Sequence, residues 1–461
     1  MPGDASVPSP ARRLTLLDAL GIGINGVVGS GVYLLVSPLA QRAGAASVAG
    51  VVACGLLCTL IALCFAELSS MHERSGGPYL YAREAFGRVV GFAVGWLGAA
   101  TGLLGFAAVA NGFAATLARG APSLGSPTAR ALVALSIVLL FGGINLLGVR
   151  AGGRTSTVLS IAKLGPLLLL VVLGLPRVTL AVLGQVFVAP PIGPGGAPVP
   201  WGPAVASAAF LAIFMHSGFE YAVVPAGEIQ NPRRNVPLAV VGSLLFASAL
   251  YAALQVVSLS VLPDLGHALA PGAQARAQPL LDVAQALLGA PGNTLLSLAA
   301  LVSMLGFCAG VALVAPRYLV ALSQDDYLPK AFAAHSARGT PALAIALSTL
   351  LVCGLSLALG YTSLVDASNV VILSGYALTA LAALVLRFRQ PAAHRPVRLP
   401  FGALIPAAAC LSAVLLLWQA HPAAAEWRFT LELDLLGLAL WGATALWRRL
   451  RPAVAHLPSS S

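Results

Sequence analysis

Gly29, Ser30 and Gly31 interrupt one long apolar run of this chain, and His216, Ser217 and Gly218 interrupt another. Glycine costs a helix interior about 1 kcal/mol relative to alanine, so both runs are expected to unwind at these points. Inside lipid, the freed N–H and C=O groups are tolerated only where protein or a wet cavity receives them. N–H groups opening the half-helix after Gly29-Ser30-Gly31 would present about half a positive charge, suited to a carboxylate. Ser30 adds a hydroxyl. Carbonyls freed around His216-Ser217-Gly218 would accept hydrogen bonds from an ammonium group. Two facing breaks thus match the main-chain group of an α-amino acid, and Phe214, one turn before the second break, is placed to close over it. A close-packed kink in each helix is the plainer alternative.

Lys163 lies in the apolar run Leu159-Ser-Ile-Ala-Lys163-Leu-Gly-Pro166. A cation at the bilayer centre costs about 2.5–3.5 kcal/mol on insertion scales, so it must face protein, water or the interface. Because burial disfavours its charged form, Lys163 can carry a coupling proton or stand where a sodium ion would bind. The alternative is that it snorkels to the membrane surface. Glu220 reads as the only acid well inside a span, able to pair with a backbone group or to titrate with Lys163 or His216. His216 reads either as a ligand contact and pH-sensing group or as a satisfied polar residue. Glu67, at the end of the second span, reads as an anchor or gate near the interface, and Asp366 as solvated at the start of the tenth.

The elements that must hold these residues are membrane spans. The chain has 461 residues, is 58% hydrophobic and only 9% charged, where a soluble protein carries about 25% charge. Its apolar runs are about 20 residues long, the length of a spanning helix and not of an alternating barrel strand. The expected fold is an all-α polytopic membrane protein with about twelve spans, near 15–39, 47–70, 89–118, 131–149, 156–175, 204–227, 237–262, 293–323, 342–361, 367–388, 402–419 and 433–450. The 176–202 connection is rich in Pro and Gly, and the 263–292 connection holds a short helix over Pro279–Leu288. Gly91, Gly95, Gly98, Gly102 and Gly105 put a small-residue face on the third span for close helix packing.

With the N-terminus inside, 19 of the 26 Lys and Arg residues fall on the cytoplasmic side, six fall outside, and Lys163 lies within a span. This bias sets an N-in, C-in orientation in a cytoplasmic membrane. It also explains the net charge of +11 without nucleic acid. The broken first and sixth spans then occupy matching positions of two oppositely oriented units, the pattern that points to a transporter binding site near the midplane. The expected organisation is a tail over 1–13, a first five-helix repeat over 14–175, an inverted second repeat over 203–388, helices 11 and 12 over 402–450, and a tail over 451–461. Cys54, Cys58, Cys64, Cys308, Cys353 and Cys410 all sit in apolar runs, without metal or disulfide spacing. No catalytic or ATP-binding motif appears, so the chain reads as neither enzyme nor pump, with no cofactor or metal.

At this point the chain resembles the amino acid–polyamine–organocation (APC) superfamily of permeases over roughly 14–400. The resemblance is carried by Gly29-Ser30-Gly31-Val32-Tyr33, by Phe65-Ala-Glu67 with Ser75-Gly76-Gly77-Pro78-Tyr79, and by Gly218-Phe219-Glu220 with Asn231-Pro232-Arg233-Arg234. Further pieces are Pro316-Arg317-Tyr318 with Asp325-Asp326-Tyr-Leu-Pro329, and Leu386-Arg387 with Arg395-Pro396. It implies a five-plus-five inverted repeat working by alternating access. It also implies that Val27, Gly29, Ser30 and Gly31 meet the amino acid main chain, with Phe214 and Ser217 on the facing break. Lys163 matches a lysine that sodium-independent relatives place where others bind the ion. Met71-His72-Glu73-Arg74, Pro316 and His216 depart from the usual pattern.

The expected function is proton-coupled, sodium-independent uptake of an amino acid. A neutral side chain is favoured, because Ala99, Ala100 and Leu103 are expected to give the pocket small apolar walls. An obligate exchanger, a carrier of polyamines or cationic amino acids, and a transporter-like membrane sensor are the alternatives. The expected partners are the amino acid, the proton and the lipid bilayer, with a homo-oligomer left open.

Overall fold

The computed structural model describes residues 14–72, 76–147, 150–188, 199–266, 278–336, 339–420 and 424–450. The tails expected at 1–13 and 451–461 lie outside these residues, as do Arg12, Arg13, Arg74, Arg276, Arg338 and Arg451 of the basic positions. The described residues form helices joined by short turns. In chain order they are α1 (Leu16–Val27), α2 (Gly31–Leu34), α3 (Val36–Ala43), α4 (Ser47–Met71), α5 (Pro78–Phe86), α6 (Arg88–Gly120), α7 (Pro127–Leu147), α8 (Arg150–Gly174) and α9 (Leu180–Val188). Then follow α10 (Trp201–His216), α11 (Pro232–Val261), α12 (Pro279–Leu288), α13 (Ala290–Gln324), α14 (Ala342–Ala358), α15 (Tyr361–Arg389), α16 (Leu404–Ala420) and α17 (Ala424–Leu450). The only extended pairing among them is a bridge between Leu14 and Ile229.

Among the described residues, nine helical segments are long and apolar enough to cross a membrane on their own. Three more of the expected spans are present in shorter or bent form: α8, which turns through 98° into α9, and the apolar α14 and α16. This is a multi-pass membrane protein, all-α as its hydropathy requires. The chain enters α1 through a capping box. Asp18 N–H donates to Thr15 Oγ1 at 3.3 Å and Thr15 N–H to Asp18 Oδ2 at 2.8 Å, satisfying two donors the helix leaves unpaired. The short helix expected over Pro279–Leu288 is α12.

Three boundaries differ from the sequence reading. The 176–202 connection contains the apolar helix α9. α15 begins at Tyr361, because the turn from α14 is only Leu359 and Gly360. Asp366 therefore lies inside a helix, partly buried and 3.8 Å from Arg42. α17 begins at Ala424, so Asp434 also lies within a membrane-length helix, with Oδ1 buried and unpartnered. Glu220 is thus not the only acid inside a span. The charges of 426–434 had lowered local hydropathy enough to hide the start of that helix.

α1 sits at the centre, packed on α11, α8 and α13, while α10 lies on α4 and α15. The glycine face of α6 meets α13 and α5: an added Cβ would reach Tyr318 at Gly98, Ala315 at Gly102 and Arg83 at Gly91. α4 and α15 are tied at one end by Glu67, which is 1% exposed. Its carboxylate accepts from Arg387 Nε at 3.0 Å and from Arg387 Nη2, and from Leu399 N–H at 2.9 Å, with Arg395 Nε 3.4 Å away. Removing one partner of a buried ion pair costs about 3–5 kcal/mol, because the other charge is left uncompensated. Glu67→Ala is expected to lower the midpoint of thermal unfolding by several degrees, and Glu67→Ala/Arg387→Ala by less. A double variant as unstable as the sum of the singles would show that the pair is not coupled. His72 stacks on Tyr81 and lies 3.1 Å from Glu84 beside the same end.

Candidate functional site

Both breaks form where the glycines and hydroxyls stand. α1 ends at Val27, Val28 to Ser30 leave the helical ladder, and α2 restarts at Gly31. α10 ends at His216, Gly218 takes φ +108°, and the chain goes on as a 3-10 turn over Phe219–Val223. That dihedral belongs to the left-handed region, which is costly for a residue with a Cβ. The two breaks touch through backbone. A Cβ built on Gly218 would lie 2.3 Å from Gly26 O, and one on Gly26 would lie 2.4 Å from Gly218 O. Gly29 packs on Phe307, and Gly31 on Met215 of α10.

The carbonyls released at the first break have found donors from three other places in the fold. Tyr251 of α11 donates to Val27 O at 3.0 Å. Ser303 of α13 donates to Val28 O at 3.1 Å and lies 3.3 Å from Gly29 O. Lys163 of α8 is completely buried. Its ammonium donates to Val28 O at 2.5 Å and Asn25 Oδ1 at 2.6 Å, with Asn25 O at 3.3 Å. It does not snorkel. Asn25 is held in turn by donating to Gly306 O at 2.9 Å. Lys163 thus has oxygen acceptors for its three N–H donors, all on one side of the break.

Ser30 has the opposite character: its Oγ is buried beside the buried hydroxyl of Tyr361, and the two have no partner but each other. Phe214 packs edge-on against Tyr361 with ring centroids 6.3 Å apart, so aromatic rings from α10 and α15 meet beside Ser30. Buried polar atoms without partners are rare in folded proteins, and each calls for an explanation such as a ligand or water.

On the second break, Ser217 Oγ donates back to Phe214 O at 3.0 Å. Glu220 accepts from Gly218 N–H at 2.8 Å and from Tyr376 OH of α15 at 2.7 Å. It therefore braces the break to α15 and shares no partner with Lys163. Beside it lies a cavity of about 30 Å³ whose lining includes Thr101, Tyr221 and Tyr376. That is room for a water molecule. His216 turns toward the scaffold: Nδ1 lies 2.9 Å from Ala212 O, and the ring stands edge-on to Tyr251 at 5.3 Å. Its Nε2 faces Gly55 of α4.

The structure thus brings together Val27, Gly29, Ser30, Gly31, Phe214, Ser217, Gly218 and Lys163, sets Glu220 at the far edge of the second break, and turns His216 away. Ala99, Ala100 and Leu103 are not walls of this site. Leu97, Gly98 and Thr101 face Tyr221 and Glu220, while Ala99, Ala100 and Leu103 lie on the other face of α6, in a separate recess against α17. Sequence reading missed Asn25, Tyr251, Ser303, Tyr361 and Tyr376. Asn25 carried a signal, being an amide inside an apolar run. The others are single hydroxyls with nothing local to mark them.

The family model described as amino acid permease matches residues 14–431. Among curated proteins, the methylthioribose transporter of Bacillus subtilis (strain 168) is 26% identical over 434 residues, covering 89% of this chain and 88% of its own. The serine/threonine exchanger SteT of the same organism is 25% identical, covering 86% and 88%. Its branched-chain amino acid permease BcaP is 26% identical, covering 88% and 87%. Carried by a match over nearly its whole length and by two broken helices meeting at glycine backbone, the chain belongs to the amino acid permease family.

Proposed function

We propose that this protein moves a neutral amino acid across the cytoplasmic membrane by alternating access, coupled to protons and independent of sodium, with both termini inside. Two inverted five-helix units, 14–175 and 203–388, would supply the two states. The substrate carboxylate would take the N–H groups at Ser30 and Gly31 and the Ser30 hydroxyl, while the Gly29 N–H is held by Val27 O at 2.9 Å. The ammonium would take carbonyls of the break around Ser217. Serine, threonine and branched-chain substrates appear in the names of two relatives, which supports a neutral side chain.

The observation that carries the reading is Lys163 bonded into the first break. Unwound carbonyls at such a break are what coordinates a coupling ion in secondary transporters, and here an ammonium holds them. As –NH₃⁺ it has three donors for three acceptors; on losing its proton it has two and gains a lone pair. One oxygen of the break is then released, so protonation of Lys163 and the shape of the Gly29–Gly31 segment are linked.

A thermal-shift screen of the purified protein against the amino acids and polyamines tests the substrate. Neutral amino acids are expected to raise the unfolding midpoint, since a ligand at a hundred times its Kd adds about 2.7 kcal/mol. Stabilisation by arginine, lysine or polyamines alone would overturn the neutral-substrate reading.

A further inference from the structure

Outside the central site, a recess of about 730 Å³ lies between α6, α13, α14 and α17. Its walls are almost wholly apolar. They include Ala99 and Leu103 of α6, Leu319 of α13, Leu351 of α14, and Leu436 and Leu440 of α17. Along α17 it runs from Phe429 to Thr444, which at 1.5 Å per residue is about 22 Å. Its volume falls within the roughly 300–1,000 Å³ of small-molecule sites. Leu351 and Leu436 stand at its open side, 43% and 54% exposed, on helices that face lipid. An elongated apolar recess opening to the bilayer fits a hydrocarbon chain and offers nothing to a polar solute.

One end of the recess is basic and aromatic. Leu328, Pro329 and Phe332 close it, with Lys330 between them, 62% exposed and paired at 2.8 Å with half-exposed Asp326. The Arg88 guanidinium lies 5.1 Å over the Tyr327 ring, which meets Trp441 of α17 at 5.2 Å. The acids at this end are Asp325, which Arg83 and Tyr79 engage, and Asp326, so the sum is positive. Tyr and Trp beside Arg and Lys mark the depth of the lipid headgroups, and exposed ion pairs such as Lys330–Asp326 are weak enough to be exchanged for a phosphate.

We propose that this recess binds an anionic glycerophospholipid, with an acyl chain lying along α17 and the phosphate held at the Lys330 end. The proposal rests on the membrane fold and not on the transport reading. The test is native mass spectrometry of the full chain purified from membranes containing phosphatidylglycerol and phosphatidylcholine. Wild type is expected to retain one phosphatidylglycerol per chain. Ala443→Trp, which places an indole in the recess at a lipid-exposed position, is expected to reduce retention at least tenfold. Lys330→Glu is expected to cut the preference for phosphatidylglycerol over phosphatidylcholine at least threefold. Leu351→Trp fills the recess from α14 and is read in place of Ala443→Trp if that variant aggregates on size exclusion. Retention unchanged by the tryptophan, or no lipid retained by wild type, overturns the site. Equal retention of both lipids by wild type overturns the anionic headgroup.

Discussion

Gly218→Ala is expected to abolish amino acid uptake in reconstituted vesicles and to lower thermal stability markedly. The added Cβ would lie 2.3 Å from Gly26 O and 2.4 Å from Gly26 C, both backbone atoms of the opposite break. Nothing flexible can move aside there, so α1 and the segment after α10 must part. The residue also sits at φ +108°, and non-glycine residues in such regions carry about 1–3 kcal/mol of strain. Glu220 receives the Gly218 N–H at 2.8 Å, so displacing Gly218 also disturbs the link to Tyr376. Gly354→Ala is the control, because nothing lies within 4 Å of a Cβ on that helical glycine. It is expected to transport like wild type and to be slightly more stable, since alanine gains up to about 1 kcal/mol over glycine in a helix. Equal uptake by the two variants would show that close contact of the breaks is not needed.

Lys163→Ala is expected to reduce proton-driven uptake more than tenfold and to flatten its dependence on external pH. Wild-type uptake should rise as the outside is acidified, because the protonated amine is the form that holds Val28 O and Asn25 together. Without the amine, those acceptors lose their donor in a dry interior, at about 1–3 kcal/mol for each group left unsatisfied. The variant must therefore be checked for folding by size exclusion before its transport is read. Exchange of internal for external amino acid should survive better than net uptake, since Ser30, Gly31 and Phe214 remain. A variant that exchanges and also keeps the wild-type pH response would remove Lys163 from the coupling step.

What could be read from the chain, and what could not, divides along physical lines. The breaks were legible because glycine, serine and histidine are conspicuous inside runs of Leu, Val and Ile, and lipid makes any loss of helical hydrogen bonds expensive. Lys163 stood out for the same reason. Its partner did not: Asn25 lies 138 residues away, and no local pattern reports a contact over that distance. The orientation of the third span was half legible. The glycine spacing identifies its packing face, but the expectation that Ala99, Ala100 and Leu103 wall the pocket fails, because their own periodicity puts them opposite Gly98 and Thr101. His216 shows the limit of reading a residue by type. A polar ring beside a break invites a ligand role, but a bond to the carbonyl four residues back and packing on Tyr251 turn it toward the scaffold.

The central claim is that Lys163 replaces a coupling cation in a proton-driven amino acid carrier. The most direct measurement is uptake of a neutral amino acid, chosen by the ligand screen, into vesicles containing the purified protein, in sodium-free buffer with an imposed inward proton gradient. Concentrative uptake that collapses when a protonophore dissipates the gradient is the predicted result. Uptake that appears only when sodium is restored would contradict it.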